Sequence, residues 1–173
     1  MATKRLINEE ASILRDVVFS ANDGVVTTFA VVAGAFGGGL SASVIIILGF
    51  ANLVADGISM ATGIYMGARS EVDYEKKNNN PHWKQDAPLL QGVVTFLAFC
   101  ISGLIPLIPF LFNFSNAILY SIIFMSIYLL FVGVIRAILV GKNIFYGAIE
   151  VFAVGALASL AAYWVGKLIE NML

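Results

Sequence analysis

Five apolar stretches, each long enough to cross about 30 Å of hydrocarbon, constrain this chain more than any other feature. They cover residues 17–38, 41–67, 88–112, 116–140 and 144–167. Of the 173 residues, 60% are hydrophobic and 12% are charged, whereas a soluble domain has about twice that share of charge. The sequence therefore predicts an all-α, polytopic membrane protein with five transmembrane helices. We expect the lipid bilayer as its surroundings and no nucleic acid as a partner.

Two polar segments complete the predicted organisation. Residues 1–16 are expected to form an amphipathic helix on the cytosolic membrane surface, and residues 17–173 the transmembrane domain. Within that domain, residues 68–87 form a short loop between spans 2 and 3. Pro106 and Pro109 are predicted to bend the far end of span 3. A lone cysteine, Cys100, excludes an internal disulfide and a cysteine-clustered metal site.

The basic residues predict the orientation of the chain. They flank the amino end, the 2–3 loop and the 4–5 turn, at Lys4, Arg5, Arg15, Arg69, Lys76, Lys77, Lys84, Arg136 and Lys142. Short cytosolic segments are enriched in lysine and arginine. We therefore expect a cytosolic amino terminus and, because the number of spans is odd, a carboxyl terminus on the outer side.

The segment from Gly49 to Met66 has polar side chains inside an apolar span. Asn52, Asp56 and Met60 are spaced four residues apart, and on an α-helix each such step advances only about 40°, so the three side chains form one stripe. An ionisable group inside a bilayer is costly unless it faces a partner or a polar cavity. Carboxylate, amide and thioether donors suit a divalent transition metal. In the alternative interpretation, Asp56 only bonds a neighbouring helix and Met60 fills space.

A comparison of depths adds Asp23 on span 1 to this candidate metal site. Counted from Arg15 and Arg69, Asp23 and Met60 each lie roughly 12–13 Å from the cytosolic surface, and Asp56 lies one turn deeper. Asn22, beside Asp23, is a candidate for the cation path or for a proton relay. Metal binding would displace protons from such carboxyl groups, which is the physical basis of metal–proton exchange.

Glu150 on span 5 permits two interpretations. It lies slightly shallower than Asp23 and near the level of Arg136 on span 4, so the two side chains could form a structural ion pair. Alternatively, Glu150 contributes to the cation path or relays protons.

The 2–3 loop is also ambiguous. Glu71 and Glu75 are candidate metal contacts, but acids that alternate with lysines usually form a solvated surface. His82 beside Trp83 is better explained as an interfacial residue than as a ligand. The sequence contains neither an HExxH pattern nor a glycine-rich phosphate loop, so we expect no enzymatic activity and no resident cofactor.

Several motifs resemble the vacuolar iron transporter family. The matching segments are DGVVTTFAVVAG at Asp23–Gly34, LGFANLVADGISMATGIYMGARSEVD at Leu48–Asp73, TFLAFCISGLIPLIPF in span 3 and GAIEVFAVGALASLAAYWVG in span 5. The chain differs in having a short loop in place of the long glutamate-rich extension of the family's plant and fungal type of member. It also has Gly63-Ile64-Tyr65 where many members have Gly-Glu-Tyr. It therefore resembles a short-loop, prokaryotic-type member.

The resemblance implies a five-span homodimer that exchanges Fe²⁺, and often Mn²⁺, for protons. It implies that Asp23 and Met60 line the passage at the dimer interface. Combined with the predicted orientation, it leads us to expect a prokaryotic inner-membrane exporter of cytosolic metal, with metal as substrate and protons as counter-ion.

Three other functions remain open from the sequence. The first is a non-transporting membrane subunit whose intramembrane acids only pair helices. An intramembrane di-metal oxidase is disfavoured because no Glu-x-x-His motif occurs. A transporter of a small organic cation is disfavoured because the stripe offers no aromatic cage around Asp56.

Overall fold

The computed structural model describes residues 2–78 and 87–172, with side chains from residue 12 onward within those ranges. Its helices are α1 (Ala2–Gly37), α2 (Ala42–Lys77), α3 (Pro88–Leu104), a 3₁₀ turn (Ile105–Leu107), α4 (Ile108–Leu111), α5 (Ala117–Val140) and α6 (Ile144–Glu170). The described residues form no strand. Within these described ranges, five helical segments are long and apolar enough to cross a membrane: 12–37, 42–77, 88–111, 117–140 and 144–170. The prediction of an all-α protein with five spanning helices is confirmed.

Helix α1 is the centre of the bundle, and it contacts each of the other spanning helices. Val25, Thr28 and Val32 on this helix are completely buried. They follow one another at intervals of three and four residues, which keeps them on one helical face. Phe99 of α3 and Leu129 of α5 are also fully buried, and they belong to the same hydrophobic cluster as Val25 and Val32. The apolar side chains of α1 therefore hold the bundle together.

Helices α1 and α3 run parallel. Near their starts, the Gln91 side-chain amide donates a hydrogen bond to the Ser12 hydroxyl at 3.2 Å. Farther along both chains, Gly24 lies directly against the Phe99 carbonyl and the Ser102 side chain, where a methyl group would overlap. Residue numbers therefore increase in the same direction along the two helices.

The directions of the other helices follow from similar close approaches. Helix α2 is antiparallel to α3, because Gly92 lies against Ala61 whereas Gly103 lies against Leu53. Glycines also permit close contact of α1 with α6 and of α5 with α6, at Gly34, Gly166, Gly133 and Gly147. Consequently α1, α3 and α6 begin at the same end of the bundle, where α2 and α5 finish. We call this the basic end, because Arg15, Arg69 and Arg136 lie toward it.

The structure differs from the expected organisation at both polar segments. Helix α1 is continuous from Ala2, with no interruption between residue 16 and the apolar stretch that follows. Helix α2 continues past Gly67 to Lys77, so half of the expected loop is helical. No proline lies in either helix, and a helix without a breaker can extend beyond its apolar part. In span 3, Pro106 and Pro109 coincide with the change from α3 to the 3₁₀ turn and α4.

A tight turn fixes the start of α6 and hence the position of Glu150. Gly141 ends α5 with φ +68°, a left-handed conformation that glycine adopts without a steric penalty. The Asn143 side-chain oxygen then accepts hydrogen bonds from the backbone amides of Phe145 and Tyr146, at 3.0 and 3.4 Å. This N-cap satisfies amides that would otherwise lack a partner at the beginning of the helix.

Candidate functional site

Two half-buried carboxyl groups, those of Asp23 and Asp56, lie at about the same level on α1 and α2. They are close enough for their charges to interact. Neither forms a salt bridge with a lysine or arginine in the part of the chain that the structure describes. The Thr27 hydroxyl donates to the backbone carbonyl of Asp23 at 2.8 Å, which leaves the carboxylate of Asp23 available. Like charges held together in apolar surroundings require a cation or a proton to neutralise them.

The predicted stripe on α2 borders this acid pair. Asn52, Asp56 and Met60 lie on one uninterrupted helix, and all three are half-buried. The side-chain nitrogen of Asn52 is buried without a hydrogen-bond partner among the described residues. Met60 packs against the hydrophobic core. An amide, a carboxylate and a thioether therefore lie along one side of α2, facing the interior in part.

Along the axis of the bundle, these side chains do not all lie at the depths that the sequence predicted. Helix α3 serves as a common reference, because Gly103 touches both Gly24 of α1 and Leu53 of α2. Asp23 is therefore level with the Leu53–Asp56 segment, and Met60 lies about one turn nearer the basic end. The expectation that Asp23 and Met60 share a level was wrong. Counting from Arg15 and Arg69 failed because these two residues do not lie at the same level: Asp23 is 8 residues from Arg15, whereas the segment level with it on α2 is 13–16 residues from Arg69.

Glu150 is paired with Arg136. Their closest nitrogen–oxygen distance is 3.2 Å, and both side chains are partly exposed. This geometry is the ion pair that the sequence offered as one of two interpretations. A wide groove of about 670 Å³ lies alongside, between α1 and α5, and Arg15, Asn22 and Arg136 are among its lining residues. The Asn22 side-chain oxygen is buried and lacks a hydrogen-bond partner among the described residues.

A small cavity of about 130 Å³ lies at the basic end between α1, α2 and α3. Glu71, Gly63 and Gly67 line it from α2, while Ser12, Arg15 and Gln91 line it from the other two helices. Gly63 is on α2 one turn beyond Met60, so the cavity leads from Glu71 toward the stripe. Glu71 thus lies where a cation could enter, whereas Glu75 is one turn farther out on the same helix and half-buried. His82 and the rest of residues 79–86 fall outside the described residues.

Sequence reasoning missed a set of buried polar side chains between α1 and α3. They are Asp16, Ser20 and Thr28 on α1, and Gln91, Thr95 and Ser102 on α3. Asp16 was assigned to the predicted surface helix, yet only 1% of it is exposed. The signal that could have identified it was the spacing of Ser12, Asp16 and Ser20, which places three polar residues on one face of a helix that must pack.

One chain supplies few side chains that could coordinate a metal. Within the described residues, no three histidine, cysteine, aspartate or glutamate side chains come together. The described chain therefore offers Asp23 and Asp56 as carboxylates, with Asn52 and Met60 beside them. Such a mixed oxygen and sulfur set could bind a transition metal through a few protein ligands and leave its other coordination positions open.

Comparison with known proteins agrees with the motifs and the fold. A sequence model of the VIT family matches residues 14–84 and 77–167, which together span most of the chain. This chain belongs to the VIT family. Asp23, the stripe on α2 and Glu150 all lie within the matched residues. The match also covers Asp16, which lies outside the motif segments that resemble the family.

Individual family relatives are similar over most of their length. Vacuolar iron transporter 1 of Oryza sativa subsp. japonica is 26% identical, in an alignment that covers 92% of this chain and 86% of the rice protein. The vacuolar iron transporter of Toxoplasma gondii is 26% identical over 94% of this chain and 76% of its own. Vacuolar iron transporter homolog 1 of Arabidopsis thaliana is 28% identical, with 94% and 86% covered.

Proposed function

We propose that this multi-pass membrane protein is a proton-coupled transporter of divalent transition metals, Fe²⁺ or Mn²⁺, that removes metal from the cytosol by metal–proton antiport. The observation that carries the proposal is the Asp23–Asp56 pair, two carboxyl groups that interact inside an apolar bundle without a basic partner among the described residues. The names of the relatives support iron as a substrate. Transport requires no chemical conversion, so we propose no enzymatic activity.

The donor chemistry supports a transition metal over an alkali or alkaline-earth ion. Carboxylate and amide oxygens bind many divalent ions, but a thioether adds the softer character that Fe²⁺ accepts and Ca²⁺ or Mg²⁺ does not. Asp23 and Asp56 are the proposed charged ligands, and Asn52 and Met60 the neutral ones. When metal binds, protons held by the carboxyl pair must leave, which couples the two ions.

The path of the metal follows from the cavity at the basic end. We propose that this end faces the cytosol, since basic residues favour that side, and that the location is a prokaryotic inner membrane. Glu71 would attract the cation at the mouth, and Met60 lies between the cavity and the carboxyl pair. Glu150 is proposed as a guide for cations only when it is released from Arg136.

A homodimer would complete the site. Five small residues on α2, each four apart, are exposed in the protomer: Ala51, Ala55, Ser59, Gly63 and Gly67. No heavy atom lies within 4 Å of the position that a Cβ would take at Gly63 or Gly67. Small residues at this spacing allow two spanning helices to approach closely. Asn52, Asp56 and Met60 each follow one of these small residues directly, so their stripe lies about 100° around the helix from the small-residue face. Pairing of two chains through that face would therefore bring two sets of these donors near each other.

The experiment that tests this function is transport by the purified protein in proteoliposomes. Vesicles would hold an Fe²⁺/Mn²⁺ indicator and a pH-sensitive dye, and a proton gradient would be imposed before metal is added. We expect metal to enter only with a gradient of the correct sign and protons to move in the opposite direction. Well-folded protein in both orientations that moves no metal would contradict the proposal and favour a non-transporting subunit.

A further inference from the structure

The groove between α1 and α5 combines two arginines with an apolar lining. Its volume is about 670 Å³, within the usual range of about 300–1,000 Å³ for a site that binds a small molecule. Besides Arg15, Asn22 and Arg136, every described side chain that lines it is apolar. None of these lining residues belongs to α2, the helix that carries the polar stripe, so the groove is separate from the proposed metal ligands on that helix.

The two arginines lie at the end of the groove that is nearest the basic end of the bundle. Gly155 of α6 lies against the side chains of Val26 and Leu129, so these three residues share a level. Toward the basic end, Arg136 is seven residues from Leu129 and Arg15 is eleven residues from Val26. Their backbones are therefore about one helical turn, or roughly 6 Å, apart along the axis. Arginine side chains are long enough to extend over such a distance toward a membrane surface, so both guanidinium groups can reach one ligand.

Both arginines have N–H donors that the protein does not use. Arg15 contacts Asp16 Oδ1 through Nε at 3.0 Å and Nη2 at 2.9 Å, and Arg136 contacts Glu150 through Nη1 at 3.2 Å. Nη1 of Arg15, and Nε and Nη2 of Arg136, have no partner among the described residues. A guanidinium group has five donors in a planar fork that matches the oxygens of a phosphate. A phosphate can therefore bind here while both ion pairs remain in place.

The charges at this end of the groove favour a ligand with a net negative charge. Val140, the last residue of α5, lines the groove, and Lys142 follows it in the turn before α6. Lys142 is exposed and forms no salt bridge with a described acid. With the two arginines it gives three positive charges, whereas Asp16 and Glu150 give two negative ones. One positive charge is thus left to be neutralised.

The rest of the groove suits an acyl chain. Phe19, Leu139 and Val140 line it and are 57%, 52% and 60% exposed, on helices that are apolar enough to span a membrane. Val132 and Val151, deeper in the groove, are buried. A soluble anion would contact the arginines and leave this lining unused, whereas a phospholipid would use both. Basic clefts between spanning helices are known to bind phospholipid head groups.

We propose that this groove binds one anionic phospholipid, with its phosphate on Arg15 and Arg136 and an acyl chain along the apolar lining. The inference does not depend on the proposed antiport. A second copy of the chain is a poorer occupant, because the exposed small-residue face is on α2, which does not line the groove. A zwitterionic phospholipid is also a poorer match, because its ammonium group would lie near the excess positive charge and be repelled.

The test measures lipid binding to the purified protein in detergent, by thermal unfolding and by counting bound lipids in native mass spectrometry. The probes are dioleoylphosphatidylglycerol, dioleoylphosphatidylcholine and inorganic phosphate. The proteins are wild type, Arg136→Gln, Arg15→Gln and Arg69→Gln. Arg69→Gln is the matched control, because Arg69 is also a partly exposed arginine toward the basic end that faces an acid, Asp73 at 3.9 Å, but it does not line the groove.

We expect phosphatidylglycerol to raise the Tm of wild type and of Arg69→Gln at concentrations where phosphatidylcholine and inorganic phosphate do not. Arg136→Gln should bind phosphatidylglycerol about tenfold more weakly or worse, because it loses charge-assisted hydrogen bonds to the phosphate. Arg15→Gln should weaken binding by a similar factor. If Arg15→Gln does not fold, because Asp16 loses its partner, Arg136→Gln decides.

Equal stabilisation by phosphatidylglycerol and phosphatidylcholine would overturn the inference, since the groove would then not select a charged lipid. Stabilisation by inorganic phosphate at the same concentration would overturn it in favour of a site for soluble anions. Wild-type affinity in Arg136→Gln, or an equal loss of affinity in Arg69→Gln, would exclude the groove as the lipid site. A dimer that dissociates in Arg136→Gln, as measured by light scattering, would mean that a second copy of the chain occupies the groove instead.

Discussion

Replacing Asp56 by asparagine distinguishes between two roles of this residue: a ligand for the metal, or an acid that only pairs helices. Asp56 interacts with Asp23 and has no salt bridge to a described basic side chain. Asparagine has nearly the same shape, so the substitution removes a negative charge without creating a cavity. We therefore expect Asp56→Asn to make the metal-free protein more stable, and to remove most of its stabilisation by metal.

The magnitudes follow from the position of the carboxyl group. An aspartate at the centre of a spanning helix costs about 2.5–3.5 kcal/mol, and because Asp56 is only half-buried we expect a gain of about 1 kcal/mol. Metal at 100 times its Kd should stabilise the wild type by about 2.7 kcal/mol. For a chain of this length, these values correspond to roughly 2–4 °C and 5–11 °C in Tm.

The assay is thermal unfolding in detergent, with and without Mn²⁺. Asp73→Asn is the control, because Asp73 is an exposed acid on the same helix whose nearest arginine nitrogen, on Arg69, is 3.9 Å away. Such a pair contributes less than about 1 kcal/mol, so this variant should keep both its Tm and its response to metal. If Asp56→Asn is less stable than wild type and still responds fully to Mn²⁺, Asp56 serves to pair helices and the reasoning fails.

Three further substitutions test the α1–α3 packing, the dimer contact and the role of Glu150. Gly24→Ala should destabilise the protein by about 1–3 kcal/mol, since the new methyl group would overlap the Phe99 carbonyl; an unchanged Tm would contradict the α1–α3 packing. Gly63→Leu should preserve the protomer fold, because that position is open, but weaken the dimer in cross-linking and light scattering; an unaffected dimer would exclude this face of α2. Arg136→Gln should change stability by less than about 1 kcal/mol and increase metal uptake at low salt by releasing Glu150, and a decrease in uptake would argue against a guiding role for that acid.

The spanning helices and the polar stripe on α2 could be predicted because each rests on a local, periodic signal. Apolar length identifies a span, and the four-residue spacing of Asn52, Asp56 and Met60 identifies a face. Prolines 106 and 109 also act locally, so the break after α3 was predictable.

Relative depth and burial depend on how separate helices are aligned, and for this reason the sequence was a poorer guide to them. The level of Met60 was predicted by treating Arg15 and Arg69 as the same membrane boundary, but contacts of both helices with Gly103 show that these two residues lie at different levels. Asp16 was expected on the surface because its neighbours are charged. Its burial is caused by packing against α3, whose Gln91 is bonded to Ser12 of α1, and in the sequence only the spacing of Ser12, Asp16 and Ser20 points to that contact.

The most direct test of the metal path compares metal flux through wild type, Asp23→Ala and Met60→Ala in the same proteoliposomes, with folding verified for each protein. The account predicts that Asp23→Ala abolishes flux and that Met60→Ala greatly reduces it, because the first removes a charged ligand and the second the only soft donor in the stripe. If both variants fold and transport metal at the wild-type rate, the metal does not pass along this face of α1 and α2.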